Sequence, residues 1–327
     1  MLIFLSLAAL AICGLSFNLI VAALRGDRQE PFADVDGASV QTLVELVGDR
    51  AYPKALTIGP DGFIYSGSAC TGELWRISPE GELEVWLPSD SGIEALVSLA
   101  FAPDGTLYAI DSQSCDPRAS VSKIQKIDPQ TKIVSPWSPV AEDQILYALA
   151  FDGAGRLYAS DTQNGLIYRY DEGGVASTWW ELPDDPNSPQ PRGLAYDPQN
   201  EALVVADSSN GFIYRVAIAE DGSPGDFTAL YEDSQHNLEG IALDDEGRVI
   251  FVSYDEDDIL RLENLGMSIR LAANFRDPAN VAFADDRIYV TNFDGLSLSP
   301  LVSIIYEPSL PFTIDVIDLS QQAPASN

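Results

Sequence analysis

Leu238-Glu239-Gly240-Ile241-Ala242-Leu243-Asp244-Asp245-Glu246-Gly247 reads as a short apolar strand that runs into a tight turn. Asp, Glu and Gly at the end supply the local hydrogen bonds and the positive φ that a hairpin turn needs. The phrase decides the fold because it recurs. Its strand returns as Ala55-Leu56-Thr57-Ile58, Ser98-Leu99-Ala100-Phe101, Ala148-Leu149-Ala150-Phe151, Gly193-Leu194-Ala195-Tyr196 and Asn280-Val281-Ala282-Phe283. Its turn returns as Pro60-Asp61-Gly62, Pro103-Asp104-Gly105, Gly153-Ala154-Gly155, Pro198-Gln199-Asn200 and Asp285-Asp286. From Ala55 the openings are spaced by 43, 50, 45, 47 and 40 residues. Each is followed by a second strand (Phe63-Ile64-Tyr65), an alternating third (Leu74-Trp75-Arg76-Ile77) and a fourth (Leu83-Glu84-Val85-Trp86). Four short antiparallel strands at this period predict an all-β, six-bladed β-propeller. A helical solenoid is excluded, because no helical period follows Leu24.

Ring closure is legible as well. Residues 40–47 stand where a fourth strand would precede the first unit, and Thr313-Ile314-Asp315-Val316-Ile317-Asp318 resembles a third strand with no fourth behind it. The N-terminal strand is therefore expected to complete the sixth blade and hide two sheet edges. This places the propeller at 39–320, with a polar linker at 26–38 and a flexible tail at 321–327.

Ahead of the linker, residues 2–24 carry no charge. As a helix they would span about 34 Å, against roughly 30 Å of hydrocarbon. Residues 1–25 thus read as a transmembrane anchor or signal-anchor, and the fold class as a propeller with one N-terminal transmembrane helix. A partner membrane protein could pack on Ala8, Ala11, Gly14 and Asn18. The full chain carries 18 Lys+Arg against 50 Asp+Glu, a net charge of -32. Such a field repels nucleic acid, so no nucleic-acid partner is expected. A single histidine, His236, argues against a His-rich zinc site or a Ser-His-Asp triad.

The residue just before each first strand should line the mouth of the central channel: Lys54, Val97, Tyr147, Arg192, Glu239 and Ala279. The ends of the second strands should form an outer ring of Ser68, Asp111, Asp161, Asp207, Tyr254 and Asn292. At these positions the chain resembles the gluconolactonase/regucalcin (senescence marker protein) family and its relatives with NHL repeats, over roughly residues 40–320. Segments such as Pro191-Arg192-Gly193-Leu194-Ala195-Tyr196 look like that family's blade openings. The resemblance implies a divalent metal, such as calcium, held at the mouth by a Glu, an Asn and an Asp in the members that hydrolyse lactones. Here Lys54 falls at the Glu, Arg192 at the Asn and Glu239 at the Asp, so only Glu239 remains a candidate metal ligand. A hard cation needs several oxygens, and two cationic side chains repel it.

No catalytic residue is assigned, the expectation leans away from an enzyme, and no cofactor is expected other than a divalent cation such as calcium. Lys54, Tyr147, Arg192 and Glu239 are candidate ligand-binding residues. Three readings stay open: an ion-paired plug, a pocket for a small anion, and a residual metal-dependent hydrolase of lactones or esters. The first two fit a membrane-anchored, non-enzymatic propeller that binds a partner protein or small ligand at this face.

Asp111, Asp161 and Asp207 recur with Ser, Thr or Asn beside them, the pattern of Asx turns that hold loops. Trp86, Trp179 and Trp180 on fourth strands are expected to pack between blades. Cys70 and Cys115 both follow a second strand, hence occupy equivalent loops on neighbouring blades, and a disulfide is expected between them. That bond places the propeller on the exported, periplasmic or extracellular, side.

Overall fold

The computed structural model describes residues 30–116, 121–183, 187–235, 237–264, 266–299, 303 and 307–321. Six antiparallel sheets follow one another around a ring, as the repeat predicts. Blade one runs from its innermost strand, Pro53–Ile58, through Ile64–Ser68 and Leu74–Ile77 to Leu83–Leu87 at the rim. Blades two to five begin with Leu96–Phe101, Leu146–Phe151, Pro191–Asp197 and Leu238–Leu243. Blade six begins with Pro278–Ala284 and Arg287–Asn292, and its third strand is Phe312–Asp318. The N-terminal strand Ser39–Leu46 pairs antiparallel with Phe312–Asp318, from Ser39 against Asp318 to Leu46 against Phe312, and so closes the ring.

The blades hold together through apolar clusters between them, one at each junction. Ala150, Tyr158 and Trp180 of blade three meet Leu194, Leu203 and Tyr214 of blade four. Val44, Leu46 and Phe312 of blade six meet Leu56, Ile64 and Trp75 of blade one. Period-two alternation explains this arrangement, since each strand gives one face to each neighbour. A tyrosine on the second strand anchors three junctions by edge contact with an indole. Tyr65–Trp86, Tyr108–Trp137 and Tyr158–Trp179 have centroids 5.4, 5.0 and 5.0 Å apart. Each pair adds about 1 kcal/mol to the area it buries. The fourth-strand tryptophans pack between blades as expected: Trp86, Trp179 and Trp180 are all buried.

Two N-terminal expectations need comment. Part of the segment read as a linker, 26–38, is tied to the sheet. Phe32–Ala33 pairs with Met267–Ala273 as a fifth strand of blade five. The Asp34 amide donates to the Leu271 carbonyl at 2.8 Å, and Arg270 pairs with the Asp34 carboxylate at 2.8 Å. Val35 and Ala38 then pack against the cluster between blades five and six. The open rim of blade five supplies the unpaired backbone that draws this segment in. The expected membrane span, residues 2–24, lies outside the described residues. Among the described residues no helix is long and apolar enough to cross a membrane.

Candidate functional site at the channel mouth

Each innermost strand slips register near its start, at the residues expected to line the mouth. The slip falls between Pro53 and Ala55, Leu96 and Ser98, Leu146 and Leu149, Pro191 and Leu194, Leu238 and Ile241, and Pro278 and Val281. A bulge re-aims the side chain it contains. Lys54, Val97, Tyr147, Arg192, Glu239 and Ala279 all sit inside these bulges. The glycines that follow two of them are required by close approach. A Cβ on Gly193 would lie 2.3 Å from the Glu239 carbonyl oxygen, and one on Gly240 would lie 2.6 Å from Asn280 Cα.

The four candidate ligand-binding residues are brought together. Tyr147 Oη donates to Glu239 Oε2, and Arg192 Nη1 donates to Glu239 Oε1 in a close ion pair. Glu239 is buried, at 3 % exposure. Lys54 Nζ lies 4.3 Å from the centre of the Tyr147 ring and 5.2 Å from that of Phe293. Among the described residues no carboxylate pairs with it. Burial, then the nearby Arg192 guanidinium, bring the Lys54 ammonium down to about 7. Burial pushes the Tyr147 phenol up to about 12, so it stays a neutral donor. Tyr254 is raised for the same first reason and then by Asp277. Arg192 keeps spare donor capacity, because its buried Nε has no hydrogen-bond partner.

Above this cluster a cleft of about 560 Å³ opens on the mouth face. Its polar lining includes Lys54, Tyr147, Gln163, Gln190, Arg192 and Tyr254. The channel below, about 520 Å³, shares Lys54, Tyr147 and Ala279 with it, so these three residues lie at the boundary. The repeat pattern foretold neither Tyr254 nor Phe293 as part of the site. Phe293 follows the last residue of a second strand, where blades two, three and four carry Ser112, Thr162 and Ser208.

The outer ring is structural. Asp111, Asp161 and Asp207 are fully buried. Asp207 Oδ1 accepts from the Gln190 amide at 2.8 Å and the Ser209 amide at 3.2 Å, and Oδ2 accepts from Asn210 Nδ2 at 2.8 Å. Asp161 does the same for Ile145, Gln163 and Asn164. In blade five the residue opposite Leu238 is Ser253, not Tyr254. The ring position expected at Tyr254 is therefore Ser253, and Tyr254 is released into the cleft. His236 lies outside the described residues.

Cys70 and Cys115 form a disulfide, with Cα atoms 4.4 Å apart and a sequence separation of 45. It joins the mouth-face loops of blades one and two, and Cys115 lines a separate small cavity of about 40 Å³ together with Lys54 and Tyr147. On the chain-entropy model a loop of this length contributes about 3–4 kcal/mol.

A divalent metal does not fit the mouth. Glu239, the candidate ligand, spends one oxygen on Arg192 and the other on Tyr147. Lys54 and Arg192 present cations where the resemblance calls for oxygen donors. Among the described residues no group of three His, Cys, Asp or Glu side chains could hold a metal ion.

The comparisons with known proteins agree with the blade openings. Residues 149–294 match the family model described as the SMP-30/Gluconolactonase/LRE-like region. The family resemblance holds. The matched stretch contains Arg192 and Glu239 but begins after Lys54 and Tyr147. Among solved structures, XC5397 from Xanthomonas campestris, described as a gluconolactonase, superposes with a TM-score of 0.65 at 13% identity, covering 89% of this chain and 95% of that one. Virginiamycin B lyase from Staphylococcus aureus gives 0.61 at 13%, covering 86% and 99%. An auxiliary nutrient binding protein from Bacteroides thetaiotaomicron gives 0.65 at 10%, covering 85% and 75%. Identities this low establish a shared fold and nothing about activity. No curated protein matches the sequence.

Proposed function

We propose that this propeller binds a small anionic molecule at its channel mouth and lacks the metal-dependent hydrolytic centre of the lactonases. The observation that carries the reading is Lys54, a lysine in a partly enclosed cleft with no carboxylate partner among the described residues, beside Arg192. Glu239 neutralises only one of the two cationic side chains. The mouth thus keeps a donor-rich positive spot on a chain of net charge -32. A carboxylate or phosphate would meet Lys54 and Arg192, and the adjacent Gln163 and Gln190 could take neutral polar groups. The apolar segment 2–24 supports a membrane tether, and the disulfide supports an exported propeller. A mature N-terminus beyond Arg25, read by mass spectrometry, would contradict the tether.

Calorimetric titration with a panel of small mono- and dicarboxylates tests the mouth. Binding is expected, weakened about tenfold in Lys54→Met, equivalent to ~1.4 kcal/mol. Metal-dependent turnover of lactones that vanishes in Glu239→Ala would overturn the reading in favour of the hydrolase.

A further inference from the structure

We propose that Lys54 captures the carbonyl carbon of a small 2-oxo acid as a reversible imine, with Arg192 receiving the carboxylate. The inference rests on the anion-binding reading of the same cleft and names the ligand class more narrowly.

An amine forms an imine only if it is unprotonated, reachable and not consumed by an ion pair. Lys54 satisfies the last two conditions by geometry. Its Nζ lies against the faces of Tyr147 and Phe293, with no carboxylate partner among the described residues, and it lines the open cleft. The first condition follows from the surroundings. The charged and titratable groups of the cleft come from three blades, Tyr147 from blade three, Arg192 from blade four, Glu239 and Tyr254 from blade five, and a small cavity on the other side of Lys54 adds Asp116 from the blade-two loop, which makes no ion pair with it. The Val97 and Ala279 positions of the ring are apolar and buried. Glu239 is committed to Arg192 and Tyr147, so it does not hold a proton on Lys54. The ammonium accordingly falls to about 7. The other three lysines sit differently. Lys123 is paired with Asp111 at 3.3 Å and Lys132 with Glu84 at 3.3 Å, while Lys126 lies 5.7 Å from the Tyr108 ring on the blade surface.

The step balances without a co-reactant. The Nζ lone pair attacks the carbonyl carbon to give a carbinolamine. The C–O bond then breaks, and the oxygen leaves as water with the two protons of the amine. The product is a C=N bond that takes up a solvent proton and becomes cationic. Two features hold that cation: the aromatic faces already occupied by Nζ, and the ligand's own carboxylate on Arg192. A 2-hydroxy acid of the same size would keep the carboxylate contact and lose the covalent bond.

The test uses the full chain with pyruvate and cyanoborohydride at pH 7, followed by intact mass and peptide mapping. The expected result is a single adduct on Lys54, absent in Lys54→Arg, a variant that keeps the charge. Trapping on Lys54 should fall as pH drops below 7 and level off above it, whereas the slower reaction of an ordinary lysine keeps rising towards pH 10. Calorimetry beside it should show pyruvate binding roughly tenfold tighter than lactate, a ratio worth ~1.4 kcal/mol. If both acids bind equally and no adduct maps to Lys54, the imine is wrong and the anion pocket stands. If the adduct maps only to Lys123, Lys126, Lys132 or the terminal amine, the imine assignment is likewise overturned. If neither acid binds, the anion pocket falls together with the imine.

Discussion

Two rings of residues share one face of this propeller and behave in opposite ways. The outer ring, Ser68, Asp111, Asp161, Asp207, Ser253 and Asn292, repeats small polar residues that accept backbone amides and close loops. The inner ring, Lys54, Val97, Tyr147, Arg192, Glu239 and Ala279, repeats nothing. Three of its six members carry charge and two are apolar. Both rings occupy positions fixed by the same register: each outer-ring residue pairs with the residue just before an inner-ring one, which sits in the bulge that follows. The difference teaches that repetition across blades marks what every blade needs to fold. Departure from repetition, at an equally fixed position, marks what the molecule does once.

Substitutions in the outer ring should therefore damage the fold. Asp207→Ala strips acceptors from the Gln190 and Ser209 amides and from Asn210, all within a buried site. The expected loss is on the order of 3–5 kcal/mol in urea unfolding. A loss below about 1 kcal/mol would break the distinction between the rings, since the aspartate would then be dispensable to the turn.

An inner-ring substitution should have a smaller effect of the opposite sign. The unfolded chain keeps the Lys54 proton up to about pH 10.4, whereas the folded protein releases it near 7. Between these values the unfolded state holds more protons, so stability rises with pH through this window. Below about pH 7 the folded protein carries the full cost of a partly desolvated ammonium. Lys54→Met should stabilise the protein by ~2 kcal/mol at pH 6, allowing for water in the channel, and be nearly neutral at pH 10. Thermal unfolding at the two pH values checks this. Destabilisation at pH 6 would show that Lys54 supports the fold, and the two rings would no longer contrast.

Legibility in the sequence follows the same line. The six openings, the closing strand, the disulfide and all six inner-ring positions could be read, because each is tied to a repeat. What escaped lies outside it. Phe32–Ala33 is two residues long, too short to show a period of two. In blade five serine stands where three other blades have aspartate, so the Asx signal is missing and the ring position was read one residue late at Tyr254. Phe293 reaches Lys54 from a position that carries Ser112, Thr162 and Ser208 in blades two to four, so the repeat there reads as a loop residue and not as a site residue. The ion pair could be named as one of several arrangements but not chosen from sequence alone. The choice depends on Arg192 and Tyr147 converging on one carboxylate from two other blades.

Glu239→Gln gives the sharpest division between the readings of the mouth. The change releases Arg192 from its partner while leaving the packing nearly intact. Calorimetric titration of the wild-type and Glu239→Gln proteins, with malonate in one series and calcium in the other, measures the central claim directly. Malonate is expected to bind the wild type and to bind Glu239→Gln about tenfold more tightly, ~1.4 kcal/mol, with no calcium heat in either. Calcium binding to the wild type that disappears in Glu239→Gln, with malonate silent in both, would contradict it.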